Sequence, residues 1–176
     1  ELFLQIDRFA DYAFNKAHST AYAVITWRMA YLKANYPIQF YIGLLKHTSD
    51  LEKVGDIYQE CQLRGIRVLP PDIRFSEVEA SMEGDGLRIG FGALKHIGTV
   101  QAQALVLERR KRPFTSLWDL FSRVELHQHT KLSLAYAGAL DCFGDRTRIL
   151  AGLAGEQTEL ALLEKEKEIV GIYLSG

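Results

Sequence analysis

Cysteine is scarce in this chain: 176 residues hold two, Cys61 and Cys142. They lie far apart and match neither a zinc-ligand spacing nor a disulfide framework. The expectation is therefore two reduced, structural thiols in a cytoplasmic protein. An excess of either charge is also lacking. With 21 Lys plus Arg against 22 Asp plus Glu, the net charge is −1. That excludes a global positive field drawing in nucleic acid, so any such contact has to come from local patches. No apolar run approaches a membrane span, and no signal peptide opens the chain. His127 and His129 stand two apart without a third ligand nearby, which reads as a solvated loop sooner than a metal site. The balance of 48% apolar and 24% charged residues suits one domain, or two small ones, with a sizeable core. Both ends, Glu1 and Gly176, look cut from a longer chain.

What the chain does have is one concentrated polar stretch, Asn15-Lys16-Ala17-His18-Ser19-Thr20, followed at once by an apolar helical run. It places a cation, an imidazole and two hydroxyls where a helix is expected to begin, at residue 19. Free backbone N–H groups and the positive end of the helix dipole collect at such a point and suit a phosphate. Lys16 would act as a point charge on a phosphate oxygen, and His18 would donate from its ring. Ser19 or Thr20 would cap the helix or donate to the anion. Alone, the stretch reads first as an ordinary capped helix start, because these residues are preferred caps anywhere.

Periodicity orders the rest. Residues 1–14 read as the end of a helix. Residues 19–36 carry one stripe of Tyr22, Ile25, Met29, Leu32 and Tyr36 and a second of Ala23, Trp27, Ala30 and Ala34. A helix apolar on most faces is expected to be buried. Pro37 ends it, because the residue before proline avoids the helical region. Further helices are expected over 37–47 and 51–64, the latter closed by Gly65. Ile66–Leu69 reads as extended, stopped by Pro70-Pro71. Segments 78–81 and 87–89 flank Glu83-Gly84-Asp85-Gly86 as a small β-hairpin. A subdomain boundary is expected within 65–90.

Two helix-hairpin-helix candidates follow. In the first, Gly90 to Thr99 leads into a helix over 100–110. Gly98 would let the backbone approach a phosphate, with Lys95, His96 and Thr99 around it. In the second, Ala137-Gly138-Ala139 and Gly144 precede Arg146 and Arg148 at another helix start. Such contacts position DNA without reading its sequence. Each could equally be a plain turn between helices, since glycine commonly serves helix ends. The run Arg109-Arg110-Lys111-Arg112 reads as a solvated helix end or as a patch that tracks phosphates. A helix over 115–121 would be capped by Thr115 or Ser116. The tail 156–168 is an acidic–basic helix, and Gln157–Leu163 reads as ordinary amphipathic helix with a faint likeness to a sliding-clamp peptide. Ile169–Leu174 looks like the entry into a strand.

Several stretches carry a family resemblance. Tyr12 to Tyr22, Ala30 to Pro37, Gly65 to Asp72, Arg88 to Gly98, Ala137 to Asp141 and Glu168 to Gly176 resemble, in order, the bacterial DNA polymerase III alpha subunits, the C-family replicative polymerases. The resemblance implies a mainly α fold. Residues 1–65 would be the C-terminal part of the fingers, and 66–155 a tandem helix-hairpin-helix region holding duplex DNA. Residues 156–176 would be a linker helix toward an oligonucleotide-binding domain. It implies that Tyr12, Lys16, His18 and Ser19 face the incoming dNTP. Lys95, His96, Gly98, Thr99, Gly138, Gly144, Arg146 and Arg148 would face the DNA backbone. The intact protein would be a DNA-directed DNA polymerase, a nucleotidyltransferase working with primer-template DNA, a sliding clamp and other replisome subunits, and with no membrane. Phosphoryl transfer needs carboxylates that hold two metal ions. No such pair occurs here, so Mg²⁺ is expected in a palm outside this chain, and the fragment alone would be inactive. Two other readings stay open from the residues themselves: a non-catalytic helix-hairpin-helix DNA-binding module, and an interaction scaffold in which the hairpins are only turns.

Overall fold

A computed structural model of the protein describes residues 3–4, 16–154 and 159–174. The helix expected over 1–14, apart from Phe3 and Leu4, lies outside the described residues, and Tyr12 with it. Among the described residues the order is α1 (Lys16–Asn35), α2 (Pro37–Lys46), α3 (Leu51–Leu63), β1 (Arg67–Leu69), β2 (Ser81–Glu83) and β3 (Gly86–Arg88). A 3₁₀ turn (Phe91–Ala93) precedes α4 (Thr99–Lys111), α5 (Leu117–Arg123) and α6 (Gln128–Tyr136). A second 3₁₀ turn (Asp141–Phe143) precedes α7 (Arg146–Ala154) and α8 (Glu159–Val170). The fold is mainly α with one small sheet, as the sequence implies.

Local chemistry explains most boundaries. Pro37 opens α2 at its first turn, where a missing N–H costs nothing. Asp50 caps α3 by accepting from the Glu52 N–H. Gly65, at φ +76°, ends α3. Its N–H donates to the Gln62 carbonyl and the Ile66 N–H to the Cys61 carbonyl, the paired bonds of a Schellman ending. Gly84, at φ +61°, and Asp85 join β2 to β3 in a two-residue turn that glycine favours. β3 is central in the sheet, antiparallel to β2 and parallel to β1. Ser116 caps α5 by accepting from the Asp119 N–H.

Two expectations about α1 change. Residues 16–18 are already helical, so Ser19 and Thr20 sit within the first turns and not at the cap. Thr20 Oγ1 donates back to the Lys16 carbonyl at 2.8 Å, the local bond a mid-helix threonine makes. Nor is α1 buried: none of its described residues is, and Tyr22, Ile25, Trp27, Met29 and Tyr31 are exposed. Apolar periodicity says that a face seeks cover, not which segment supplies it. Here α1 rests mainly on α2 and is tied to α3 by Lys33 and Glu60 at 2.7 Å.

The core runs continuously from Tyr41 in α2 through Tyr58, Leu87, Phe91, Leu105 and Leu140 to Val170 in α8. The expected strand entry at 169–174 is absent. Ile169 and Val170 are the last buried residues of α8, and 171–174 bend. There Gly171 meets Gly55 of α3 so closely that a Cβ on Gly55 would lie 2.7 Å from the Gly171 carbonyl oxygen.

Of the run at Arg109–Arg112, only Arg109 is withdrawn from solvent; Arg110, Lys111 and Arg112 are exposed, as a solvated helix end would be, but all four are paired with carboxylates. Arg109 and Arg110 both reach Glu77 at 2.8 Å, Lys111 reaches Glu108, and Arg112 reaches Asp119 at 2.7 Å. Arg109 also donates to the Ile73 and Ser76 carbonyls. Folding brings up carboxylates that sequence proximity does not reveal. The buried counterpart is Glu166, 1% exposed, which accepts from Arg146 Nη1 at 3.0 Å and from the Leu174 N–H at 2.9 Å. Arg146→Ala would strand that carboxylate, and breaking such a pair costs about 3–5 kcal/mol. We expect a large fall in the urea midpoint of unfolding. The double change Arg146→Met with Glu166→Met should recover most of it.

Candidate nucleic-acid interface

The two hairpins share a plan but present different surfaces. The first runs from the 3₁₀ turn at Phe91–Ala93 to α4. The Ile97 N–H donates to the Leu94 carbonyl at 3.2 Å, closing a four-residue turn. Its left-handed residue is His96, at φ +66°. Gly98, expected to supply the unusual backbone, is extended at φ −73° and ψ 156°, a conformation open to any residue. Its surroundings are empty: a Cβ there would meet nothing within 4 Å. Gly98 is the N-cap of α4 and has no side chain to cap with. The amides of Gly98, Thr99 and Val100 have no acceptor among the described residues, and all three residues are exposed, at the positive end of a 13-residue helix. This is an anion-ready helix start.

The turn is held from two sides. The Lys95 N–H donates to the Ile169 carbonyl of α8 at 3.2 Å, and Lys95 Nζ pairs with Glu168 at 2.7 Å. The buried Thr130 of α6 donates its hydroxyl to the His96 carbonyl at 3.0 Å. Gln101 lies 2.8 Å from that hydroxyl, where its amide, turned round, would be the donor. Beside Thr130, His129 sits in α6 and not in a loop. Its ring centroid is 5.9 Å from that of His96.

The second hairpin is closed. Gly138, at φ +78°, ends α6: its N–H donates to the Ala135 carbonyl and the Ala139 N–H to the Leu134 carbonyl. A Cβ on Gly138 would run into the Arg146 guanidinium, so the glycine serves packing. Arg146, expected to face DNA, is held by Asp141 at 2.6 Å and by Glu166 at 3.0 Å. The start of α7 is already capped, with Asp145 Oδ1 accepting from the Arg148 N–H at 3.0 Å. Gly144, at φ +148°, is exposed in the turn. The Arg148 side chain is exposed and makes no hydrogen bond or ion pair among the described residues.

The residues expected to meet a nucleotide lie apart from both hairpins. Lys16, His18 and Ser19 are exposed on the first turns of α1, with His18 packed edge-on to Tyr22 at 4.4 Å. Burial pushes the Cys61 thiol up to about 11 and raises that of Cys142. Neither is an activated nucleophile. Among the described residues no group of three His, Cys, Asp or Glu could hold a metal ion, and no helix is long and apolar enough to cross a membrane. His129, read from the sequence as part of a solvated loop, is exposed on α6, and no spacing in the sequence marks it as a binding residue.

Two helices joined by a tight turn, twice, with an open helix start at one of them, define a helix-hairpin-helix protein. Residues 65–150 match the family described as helix-hairpin-helix motif. The chain is 35% identical to the DNA polymerase III subunit alpha of Thermus aquaticus, over 99% of this chain and 17% of that protein. It is 36% identical to that of Halalkalibacterium halodurans, over 97% and 18%, and 38% identical to that of Deinococcus radiodurans, over 87% and 12%. The chain is similar to the DNA polymerase III alpha subunits along most of its own length, and it spans less than a fifth of the length of these relatives.

Two outcomes follow from the first hairpin. A left-handed conformation costs a non-glycine residue about 1–2 kcal/mol. His96→Gly should therefore hold or raise stability by up to about 1 kcal/mol, whereas His96→Val should lower it by about 1–2 kcal/mol. Urea unfolding measures both. Hydrogen bonds from Lys165, then Lys95, hold the Glu168 carboxyl down to about 2. A carboxylate lowered in the folded state stabilises above its unfolded pKa, and that contribution is lost as pH falls through the folded one. Between pH 4.5 and 2, Glu168→Gln should flatten part of the fall in thermal midpoint.

Proposed function

We propose that this chain is the stretch of a DNA polymerase III alpha subunit that grips the duplex backbone and helps position the incoming dNTP. The observation that carries the reading is the uncapped, exposed start of α4, where Gly98, Thr99 and Val100 turn free amides outward. Amides so placed bind a phosphate oxygen without regard to base sequence. The first hairpin then makes the principal contact. At the second, Gly144 and the unpaired Arg148 contribute, while Gly138 and Arg146 hold its shape.

On the same reading, Lys16, His18 and Ser19 meet the triphosphate, together with Tyr12. Their part is to place it and to stabilise charge as the bond to pyrophosphate breaks. Mg²⁺ and the carboxylates that bind it belong to a palm elsewhere in the subunit. The exposed apolar face of α1 is covered there by the rest of the polypeptide. The fingers portion is 1–65, the duplex-binding portion 66–155, and the final helix leads on toward an oligonucleotide-binding domain. The intact subunit synthesises DNA in the cytoplasm with a sliding clamp and other replisome subunits.

Titration of the full-length subunit against labelled duplex at several salt concentrations tests the grip. Each phosphate neutralised steepens the plot of log K against log salt by about 0.9. We expect Arg148→Ala to flatten the slope by about one and Arg146→Gln to change stability more than slope. Thr99→Pro, which removes one amide, should weaken binding to all duplex sequences alike. In the full-length polymerase, Lys16→Ala should raise the dNTP KM and lower kcat; unchanged nucleotide kinetics would refute the role given to Lys16.

A further inference from the structure

We propose that His96 and His129, one imidazole from each hairpin, form a proton-dependent clasp for a duplex phosphodiester next to the Gly98–Val100 amides. The inference rests on the first hairpin being a backbone grip, and adds to it a second donor set and a pH dependence.

The placement comes from both hairpins. His96 lies in the turn two residues before Gly98. His129 lies on α6, and its neighbour Thr130 is bonded to the His96 carbonyl. That bond brings the turn and α6 together, and the two ring centroids lie 5.9 Å apart with their planes tilted by 41°. Both residues are exposed. Both line a cleft of about 180 Å³, together with Tyr136, Lys165, Glu168 and Ile169. One phosphate oxygen pair can accept from two such rings.

The backbone supplies a second argument. His96 is the only non-glycine with positive φ among the described residues. Glycine would occupy that position without strain. Strain retained at a binding turn points to work done by the side chain.

The charges around the rings supply a third. Lys95 and Lys165 both pair with Glu168, at 2.7 and 2.6 Å. That carboxyl is held down to about 2 and stays ionised at any working pH. Lys131, on the helix of His129, lies over the Phe121 ring at 4.8 Å. Tyr136 is buried, and Gln101 and Thr130 are uncharged. Imidazole is the side chain whose charge changes between about pH 5 and 8, so the two rings set the local charge in that window. A bound phosphate favours imidazolium, so affinity rises as pH falls through that window.

The test uses the full-length subunit, a fluorescein-labelled duplex, and salt series between about 50 and 200 mM at about pH 6 and about pH 8. On going to the lower pH, the unsubstituted subunit should bind about tenfold tighter for each pKa unit gained on binding. Its salt slope should steepen by about one to two. His96→Gly and His129→Gln should each remove part of that response, and the double variant nearly all of it. His127→Gln, three residues before Thr130 and outside the clasp, should keep it. The urea midpoint of His96→Gly, at or above that of the parent, shows that its loss is not unfolding. A pH response that survives in the double variant, or no pH response in the parent, overturns the clasp and leaves the backbone grip standing. No salt-dependent duplex binding at either pH overturns both.

Discussion

The buried carboxylate of Glu166 is the constraint around which the C-terminal half of the molecule is arranged. A carboxylate with 1% exposure has to be paired, and partners reach it from two separate elements. Arg146 reaches it from the start of α7 while also holding Asp141 in the second hairpin. The Leu174 N–H reaches it from the bend after α8. Gly138 leaves room for the guanidinium. One ion pair thus sets the second turn, the start of α7 and the course of the chain beyond α8.

The same helix anchors the first hairpin. One turn of α8 supplies Glu166 to Arg146, Glu168 to Lys95 and the Ile169 carbonyl to the Lys95 N–H. Its C-terminal end then closes on α3 through Gly171 and Gly55. The two hairpins are cross-braced by Thr130 as well. Duplex DNA has a rigid backbone, and two contacts help each other only if their spacing is held. A shared helix and a buried hydrogen bond between the turns provide that.

The hairpins divide the work. The first leaves its helix start open, while the second fills its own with Asp145 and commits its arginine to the protein. The contrast follows from one residue type at one position. A glycine N-cap has no acceptor to offer the free amides, whereas an aspartate N-cap satisfies one and repels an anion.

Much of the fold was legible in the residues. Pro37, Gly65 and Ser116 act through their own backbone chemistry, and each ended or began an element where expected; the hairpin turn at Gly84-Asp85 was legible too, but its first strand is 81–83 and not 78–81. Helical spacing gave the other helices from 37 onward for the same reason, but not α6, where His127 and His129 read as a solvated loop. Of the candidate site, the hairpins and the family resemblance were legible, because their motifs are local and in order. The left-handed residue was assigned to Gly98 because glycine is the usual occupant, yet the turn closes between Leu94 and Ile97 and places His96 there. Arg146 and the run at Arg109–Arg112 looked available for phosphate because their carboxylates, Glu166, Glu77 and Asp119, come from other elements. The exposed apolar α1 was read as buried because periodicity does not name a partner.

The sequence by itself determined the mainly helical class, the hairpin plan and the family resemblance, since these rest on interactions between residues within a few positions of one another. Only the tertiary structure decided which cations are free and which two histidines meet. Those depend on contacts between separate elements, such as Thr130 with His96, Lys95 with Glu168 and Arg146 with Glu166, and distance along the chain carries no record of them.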